Sequence, residues 1–219
     1  MSVISKDTIQ FLNQIKLNNN KPWFEKNRSS YEKSRAEYLG FVAKLIEGIR
    51  KIEAIPEKEP VKYIQRIYRD IRFSKDKTPY KTFFSSIIER GPEIRNCPLY
   101  VQIQPGRSML GGGIWDPLPE TLKKIRQEID YNGVGLKKIT NSKEFQKYFG
   151  KISGAKLARP PKGYEADNPN IELLKFKQLF VQRIFDDELV LSRHLIPEML
   201  KSYRAALPFF TYFDIVMGE

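Results

Sequence analysis

The sequence is poor in the residues that build disulfide frameworks and metal centres. Its 219 residues include one cysteine, Cys97, and one histidine, His194. A single cysteine forms no internal disulfide, and zinc sites are built mainly from several His and Cys ligands. The composition therefore excludes a disulfide scaffold and a His/Cys metal site, and a histidine-dependent triad would have to use His194. We expect no metal and no cofactor.

Long apolar runs are missing as well. No stretch reaches the roughly 18 apolar residues of a membrane span, and the first seven residues lack the apolar core of a secretory signal. We therefore expect a cytoplasmic protein without a membrane partner. The hydrophobic fraction of 41% predicts a folded chain, because that much apolar surface can offset the loss of conformational entropy.

The charge is basic and unevenly distributed along the chain. The formal net charge is +12. Residues 62–81 hold seven basic and two acidic side chains, and residues 119–162 hold eleven basic and four acidic ones. Such an excess predicts a positive surface or groove that attracts phosphate, carboxylate or nucleic acid. The alternative is an unspecialised soluble surface.

No repeat, low-complexity tract or Gly/Ser linker divides the chain, so we predict a single domain over residues 1–219. Within it we expect a helical N-terminal part at 5–58, a basic motif at 60–81, a sheet core at 82–115 and a helical C-terminal part at 117–215. The predicted fold class is α+β, an antiparallel β-meander sheet packed with several helices.

Hydrophobic periodicity marks the helices of the N-terminal part. A short helix follows Ser5, a candidate N-cap, and a second begins near Pro22. The clearest helix starts near Tyr31. Its apolar side chains recur at steps of three and four residues: Tyr38, Val42, Leu45, Ile49 and Ile52.

The C-terminal part is also predicted to be mainly helical. Pro119 resembles a helix start, and Phe145 belongs to a second, short helix. Asp186 and Asp187 are expected to cap a final helix that runs through Leu207, with Pro197 near a break or kink.

Strand patterns dominate the middle of the chain. Residues 82–88, 99–104 and 108–115 form β-type runs bounded by Gly/Pro turns, and residues 179–185 form a further run. The segment from Pro60 to Pro79 is ambiguous, because Ile64, Ile67 and Ile71 fit helical spacing while its β-branched content suits a strand. We favour a helix for it.

The densest charged motif lies between Arg66 and Lys81. On a helix, Arg66, Arg69 and Asp70 share one face, and the three guanidiniums of the motif, including Arg72, lie close together. Guanidiniums bind carboxylates and phosphates through paired donors, and gathered like charges repel unless an anion compensates them. The motif therefore predicts an arginine-rich anion-binding pocket, whereas the alternative is an exposed basic helix with ordinary Arg–Asp pairs.

The predicted site adds a glycine from the Gly111–Gly113 run and an arginine from the Pro-rich loop at 159–164. Asp70 and Asp76 would orient the cations rather than react, and no catalytic residue is indicated. Glycines inside a strand more often mark a bulge or a close backbone crossing than a phosphate loop. The predicted ligand-binding residues are Arg66, Arg69, Asp70, Arg72, Asp76, Lys77, Tyr80, Gly112 and Arg159.

The same motif carries a family resemblance. Arg66-x-x-Arg69-Asp70-x-Arg72-Phe73, followed by Asp76-Lys77-x-x-Tyr80, resembles the signature of the domain-of-unknown-function 2461 family. Trp23-Phe24 and the loop at 159–164 are similar to that family too, so the resemblance covers nearly the whole chain. It implies no reaction, ligand or catalytic residue. One departure is Phe83-Phe84, where many relatives have a histidine.

Three functions follow from these patterns. The first is binding of an anionic small molecule, either a phosphorylated compound or a nucleotide, in the arginine-rich pocket. The second is nucleic-acid binding, because aromatic residues such as Tyr68, Phe73 and Phe83 interleave with the basic ones, as a stacking platform on a positive groove requires. The third is an enzyme that acts on an anionic substrate. The sequence does not indicate the oligomeric state.

Overall fold

The computed structural model describes residues 3–91 and 97–218, and three helices open the chain. They are α1 (Lys6–Leu17), α2 (Lys21–Lys26) and α3 (Arg28–Arg50). Ser5 caps α1 by accepting a hydrogen bond from the Thr8 amide, and Asn20 caps α2 in the same way. The predicted helices after Ser5 and near Pro22 are therefore confirmed.

Helix α3 supplies much of the N-terminal core. The side chains of Tyr38, Val42, Leu45 and Ile49 are buried along one stripe of the helix, as their spacing predicts. The Tyr38 hydroxyl hydrogen-bonds the Ser86 hydroxyl at 3.0 Å. This bond fixes α3 against one face of the sheet.

The sheet has four antiparallel strands in the order β1 (Phe84–Ile88), β2 (Leu99–Ile103), β3 (Ser108–Ile114) and β4 (Leu179–Phe185). The first three strands form a meander, and β4 joins from the C-terminal part of the chain. The α+β class and the antiparallel meander are confirmed.

The remaining helices surround the sheet on the α3 side. They are α4 (Pro119–Thr140), α5 (Lys143–Phe149), α6 (Ile171–Leu174), α7 (Asp187–Val190) and α8 (Leu195–Gly218). Phe209, Phe210 and Phe213 of α8 are fully buried in the core. In the described part of the chain, no helix combines the length and the apolar character needed to cross a membrane.

The predicted helix at 60–79 is wrong. Only Pro60–Tyr63 forms a short 3₁₀ turn, and the chain then runs extended beside β1, where the Gln65 amide donates to the Ser85 carbonyl. Ile64 bridges to Ser86. Residues 66–81 form a loop whose two arms pair at Tyr68 and Tyr80, and we name it the basic hairpin.

The C-terminal helix also differs from its prediction. Asp186 caps α7, which has only four residues, and a turn separates α7 from α8. Helix α8 begins at Leu195 and continues past Leu207 to Gly218. Pro197 causes no break because it lies in the first turn of α8, where its missing N–H has no intrahelical acceptor.

Candidate ligand-binding site

The basic hairpin holds two of the three predicted arginines in ion pairs with its own carboxylates. Arg69 contacts Asp76 with an N–O distance of 2.6 Å, and it also donates to the Thr78 carbonyl at 3.0 Å. Arg72 forms a bidentate pair with Asp70 at 3.0 and 2.7 Å. Both pairs lie at the surface, and the Arg72 side chain is 76% exposed.

These contacts keep the two carboxylates ionised. Hydrogen bonds from the backbone and the hydroxyl of Thr78, together with Arg69, lower the pKa of Asp76 to about 2. The Arg72 guanidinium lowers the pKa of Asp70. Each aspartate therefore positions an arginine, and neither is suited to donate a proton near neutral pH.

The other predicted residues of the hairpin have different environments. Tyr80 is buried and stacks on Phe24 with ring centroids 4.1 Å apart, and burial raises its pKa, so it is a core residue. Lys77 donates to the Ile71 carbonyl at 2.9 Å. Arg66 is exposed, and no carboxylate of the described residues pairs with it.

A cavity of about 700 Å³ lies on the face of the sheet opposite α3 and α8, which we name the open face. Strand register places Ile87, Tyr100, Gly111 and Gln182 in one row across this face. Trp115 and Phe180 form an aromatic wall with ring centroids 4.6 Å apart. Trp115 is 63% exposed, which is unusual for so large an apolar side chain.

Glycines form the floor of this cavity. A Cβ atom at Gly111 would lie 2.5 Å from the Val181 carbonyl oxygen, and one at Gly113 would lie 2.5 Å from the Leu179 carbonyl oxygen. Gly113 also has a φ of +126°. The glycines thus let β3 and β4 approach closely, in agreement with the backbone-crossing interpretation, and they leave the centre of the open face without side chains.

A chain of polar side chains follows β1 and β2 along the cavity. The Tyr100 hydroxyl donates to Gln102 at 2.6 Å, and the Gln102 amide donates to Gln104 at 2.6 Å. Burial raises the pKa of Tyr100, and a hydrogen bond with Ser85 opposes that shift. The Ser85 hydroxyl in turn donates to the Gln65 side chain at 3.0 Å.

Two amide groups on the open face remain available to a ligand. Gln182 has no side-chain hydrogen bond to another described residue, and only the oxygen of the Gln104 amide is used. A planar molecule inserted between Tyr100 and Phe180 would find hydrogen-bond donors and acceptors at its edge.

Cations border the cavity without carboxylate partners. Arg107 lines it at the β2–β3 turn, and no acid of the described chain pairs with it. At the same end of the sheet, the Lys81 ammonium lies 5.9 Å from the ring of Phe83, a lining residue. The surroundings of this cavity are therefore positive.

The structure brings together only some of the predicted site residues. Gly112 lines the cavity, but its missing Cβ faces Phe210 of α8 rather than the open face. None of Arg66, Arg69 and Arg72 is among the described lining residues. Arg159 is exposed on the loop at 159–164.

Sequence reasoning missed the side chains that line the open face. The signal was present in β2, where Tyr100, Gln102 and Gln104 alternate with buried apolar residues and therefore share one face. Trp115 and Phe180 fall within the predicted strand runs at 108–115 and 179–185, and nothing in those runs distinguishes them from other strand residues. These side chains can be identified as a candidate site only when it is known that no described helix covers this side of the sheet.

Across residues 3–91 and 97–218, no group of three or more His, Cys, Asp or Glu side chains could hold a metal ion. The single cysteine, Cys97, is buried, and burial raises the pKa of its thiol. The groups around the cavity are thus aromatic rings, amides, hydroxyls and cations.

Comparison with known proteins gives one match. No curated protein and no solved structure is similar enough to the chain to count as a match. The family model described as "Conserved hypothetical protein (DUF2461)" matches residues 7–212. Because this match covers almost the whole chain, the protein belongs to that family of conserved hypothetical proteins.

Proposed function

We propose that the protein binds an anionic small molecule, a phosphorylated compound or nucleotide, in the cavity on the open face. The observation that carries this proposal is the glycine floor at Gly111 and Gly113 beneath the Trp115–Phe180 wall. A binding cavity is typically apolar, with a few convergent polar groups that orient the ligand. Here the amides of Gln104 and Gln182 supply those groups.

Charge supports an anionic ligand. Arg107 and Lys81 lie at or near the cavity and form no ion pair with an acid in the described part of the chain, and the basic hairpin carries six basic side chains against two acidic ones. Unpaired cations around a concave site raise the local concentration of anions and strengthen their binding. The hairpin would thus contribute the anion-attracting field that its sequence predicts.

Calorimetric titration with the four common nucleoside 5′-monophosphates tests this proposal. We expect saturable binding of at least one of them. Trp115→Ala should weaken it about tenfold or more, because stacking of a base on an aromatic ring contributes about 1–3 kcal/mol. The variant should remain folded, since Trp115 lies mostly outside the core.

A matched aromatic control lies outside the cavity. Tyr131 of α4 is 90% exposed and does not line the cavity, so Tyr131→Ala should leave affinity unchanged. Equal losses in both variants, or no binding by the wild-type protein, would contradict the proposal.

Nucleic-acid binding is a second candidate, favoured by one observation on the basic hairpin. Phe73 is 96% exposed, and the Arg72 guanidinium lies 5.9 Å from its ring centroid. An exposed ring among cations provides a stacking platform for single-stranded bases. This surface does not require the cavity.

Titration with a mixed-sequence single-stranded oligonucleotide at two salt concentrations separates the two candidates. Nucleic-acid binding predicts an affinity that falls steeply with salt and that Phe73→Ala weakens. A cavity ligand predicts that Phe73→Ala has no effect on mononucleotide affinity.

The cytoplasmic location remains a prediction, which imaging of the tagged protein in its native cells would test.

A further inference from the structure

Two cations without carboxylate partners meet where the basic hairpin joins the sheet. Lys81 lies on the returning arm of the hairpin, and its amide donates to the Ile67 carbonyl at 2.7 Å. Arg66 lies next to Ile67 on the outgoing arm. Burial, and secondarily the positive charge of Arg66, lowers the pKa of Lys81. The two side chains are therefore close enough to repel each other.

The surroundings of Lys81 provide little compensation for its charge. Among the described residues, its ammonium group donates only to the neutral Gln65 side chain, at 3.3 Å. No carboxylate of the described residues lies within ion-pair distance of Lys81 or Arg66, and the nearby Asp70, whose pKa Arg66 helps to lower, is itself paired with Arg72. A bound anion would relieve this repulsion and replace the water that the half-buried amine has lost.

This cation pair is continuous with the cavity. Gln65 accepts hydrogen bonds from both Lys81 and Ser85, and Ser85 lies opposite Gln102 of β2, which lines the cavity. The Phe83 ring lies beside the Lys81 ammonium and also lines the cavity. A ligand could therefore extend along β1 from the cavity to the two cations.

Strand spacing sets the length of such a ligand. The glycine floor lies on β3, and Ser85 lies on β1, two strands away. Neighbouring strands are about 4.8 Å apart, and Ser85 lies two residues along β1 from the row that contains Gly111, so the floor and Ser85, where the path to the cation pair begins, are separated by about 12 Å. Inorganic phosphate and small sugar phosphates are too short to occupy both places. A nucleoside 5′-phosphate spans the gap, because its ribose separates the base from the phosphate.

We propose that the cavity binds a nucleoside 5′-phosphate with its base over Gly111 and its phosphate at Arg66 and Lys81. This assignment rests on the proposed function above and narrows its ligand to one class. The guanidinium of Arg66 offers paired donors to phosphate oxygens, Lys81 offers a point charge, and the Ser85 hydroxyl lies between them and the cavity.

The test compares each nucleoside with its own 5′-monophosphate, so that the contribution of the phosphate is measured separately from that of the base. For at least one base, the wild-type protein should bind the monophosphate about tenfold or more tightly than the nucleoside. Lys81→Met should abolish most of this preference and leave the affinity for the nucleoside unchanged. Arg66→Gln should reduce the preference in the same way, and this exposed position keeps the test available if Lys81→Met fails to fold.

One control variant completes the experiment. Lys44 is exposed on α3, on the far side of the sheet, so Lys44→Met should keep the full preference for the monophosphate. Arg107 lines the cavity at the same end of the sheet as Lys81, so Arg107→Gln tests whether it binds the phosphate instead, and the assignment predicts a smaller loss of preference than in Lys81→Met.

The outcomes separate the two proposals. If only Arg107→Gln removes the preference for the monophosphate, this assignment is overturned while the proposed function stands. If the nucleoside binds and the phosphate adds no affinity for any base, the ligand is not recognised as an anion and both are overturned. If neither the nucleoside nor the monophosphate of any base binds to the wild-type protein, both are overturned.

Discussion

On the helix-covered face of the sheet, the fully buried Arg90 guanidinium donates to Glu53 at 2.8 Å and to Asp214 at 3.0 Å, and it stacks over the Phe210 ring. On the open face, Arg107 and Lys81 have no carboxylate partner among the described residues. Both regions contain cations and aromatic rings. They differ in whether the protein itself satisfies the charge.

This difference distinguishes cations that stabilise the fold from cations that are able to bind a ligand. A charge that two carboxylates, a carbonyl and a tyrosine hydroxyl already surround has no capacity left for a ligand, as at Arg90. A cation that, within the described residues, hydrogen-bonds only a neutral amide, as at Lys81, retains that capacity. The density of arginines in the sequence is therefore a weaker guide to a site than the absence of nearby acids.

The largest effect should come from breaking the buried ion pairs. Arg90→Met removes from the core a cation that pairs with the nearly buried Glu53 and Asp214, and losing one partner of a buried pair destabilises a protein by about 3–5 kcal/mol. Urea unfolding should show a loss of that size. Arg204→Met, at an exposed position of α8, is the control and should change stability little. A loss below about 1 kcal/mol in Arg90→Met would contradict the comparison.

A smaller loss should follow from filling the floor of the open face. Gly113 has a φ of +126°, and its Cβ would meet the Leu179 carbonyl, so Gly113→Ala should destabilise the fold by about 1–3 kcal/mol. Gly40→Ala, with open space around its Cβ in α3, should instead stabilise by up to about 1 kcal/mol. In thermal unfolding, a loss of stability for Gly113→Ala together with a gain for Gly40→Ala supports the role of the glycine floor. Equal stability changes in the two variants contradict it.

Removing a wall of the cavity should cost still less stability. Trp115 contacts Phe180 but is mostly exposed, so Trp115→Ala should lower the free energy of unfolding by less than about 1 kcal/mol. The same variant should lose ligand affinity. A loss of stability comparable to that of Arg90→Met would show that Trp115 is a core residue rather than a ligand contact.

The smallest effect concerns the exposed Arg69–Asp76 pair, and it should depend on pH. The folded-state pKa of Asp76, about 2, lies below its ordinary value of 3.8. Its contribution to stability is therefore present above about pH 4 and is lost as the pH falls towards 2. The difference in urea midpoint between wild type and Asp76→Asn should be small, largest above pH 4, and should shrink as the pH falls through about 2. A difference that grows on acidification would contradict this linkage.

Local patterns were sufficient to predict most of the fold. The buried stripe of Tyr38, Val42 and Leu45 predicts α3, since only a helix places steps of three and four on one face. The β-type run at 179–185 coincides with β4. Where sequence spacing and tertiary packing agree, the prediction holds.

At residues 60–79 sequence spacing and tertiary packing disagree, and the predicted helix is wrong there. Ile64 and Ile67 are three residues apart, which fits a helix, but both lie on an extended segment that pairs with β1 and then enters the basic hairpin. β-Branched residues gain more from a neighbouring strand than from a short helix. The pairing partner, Ser86, is some 20 residues away and cannot be inferred from spacing.

The candidate site was predicted only in part for the same reason. The sequence indicates a basic motif, but Asp70 and Asp76 pair with Arg72 and Arg69, and this depends on the turn that the hairpin adopts. The cavity depends on which face of the sheet the helices cover. That choice is set by packing between distant parts of the chain.

The most direct test of the central claim, that the open face binds a nucleotide-like anion, is chemical-shift mapping by NMR during titration with nucleoside 5′-monophosphates. The account predicts that, for at least one base, shifts concentrate on the amides of Gly111 and Gly113, the Trp115 indole N–H and the Gln182 side-chain amide. Shifts confined to the tip of the basic hairpin around Phe73, or no shifts with any of the four bases, would contradict it.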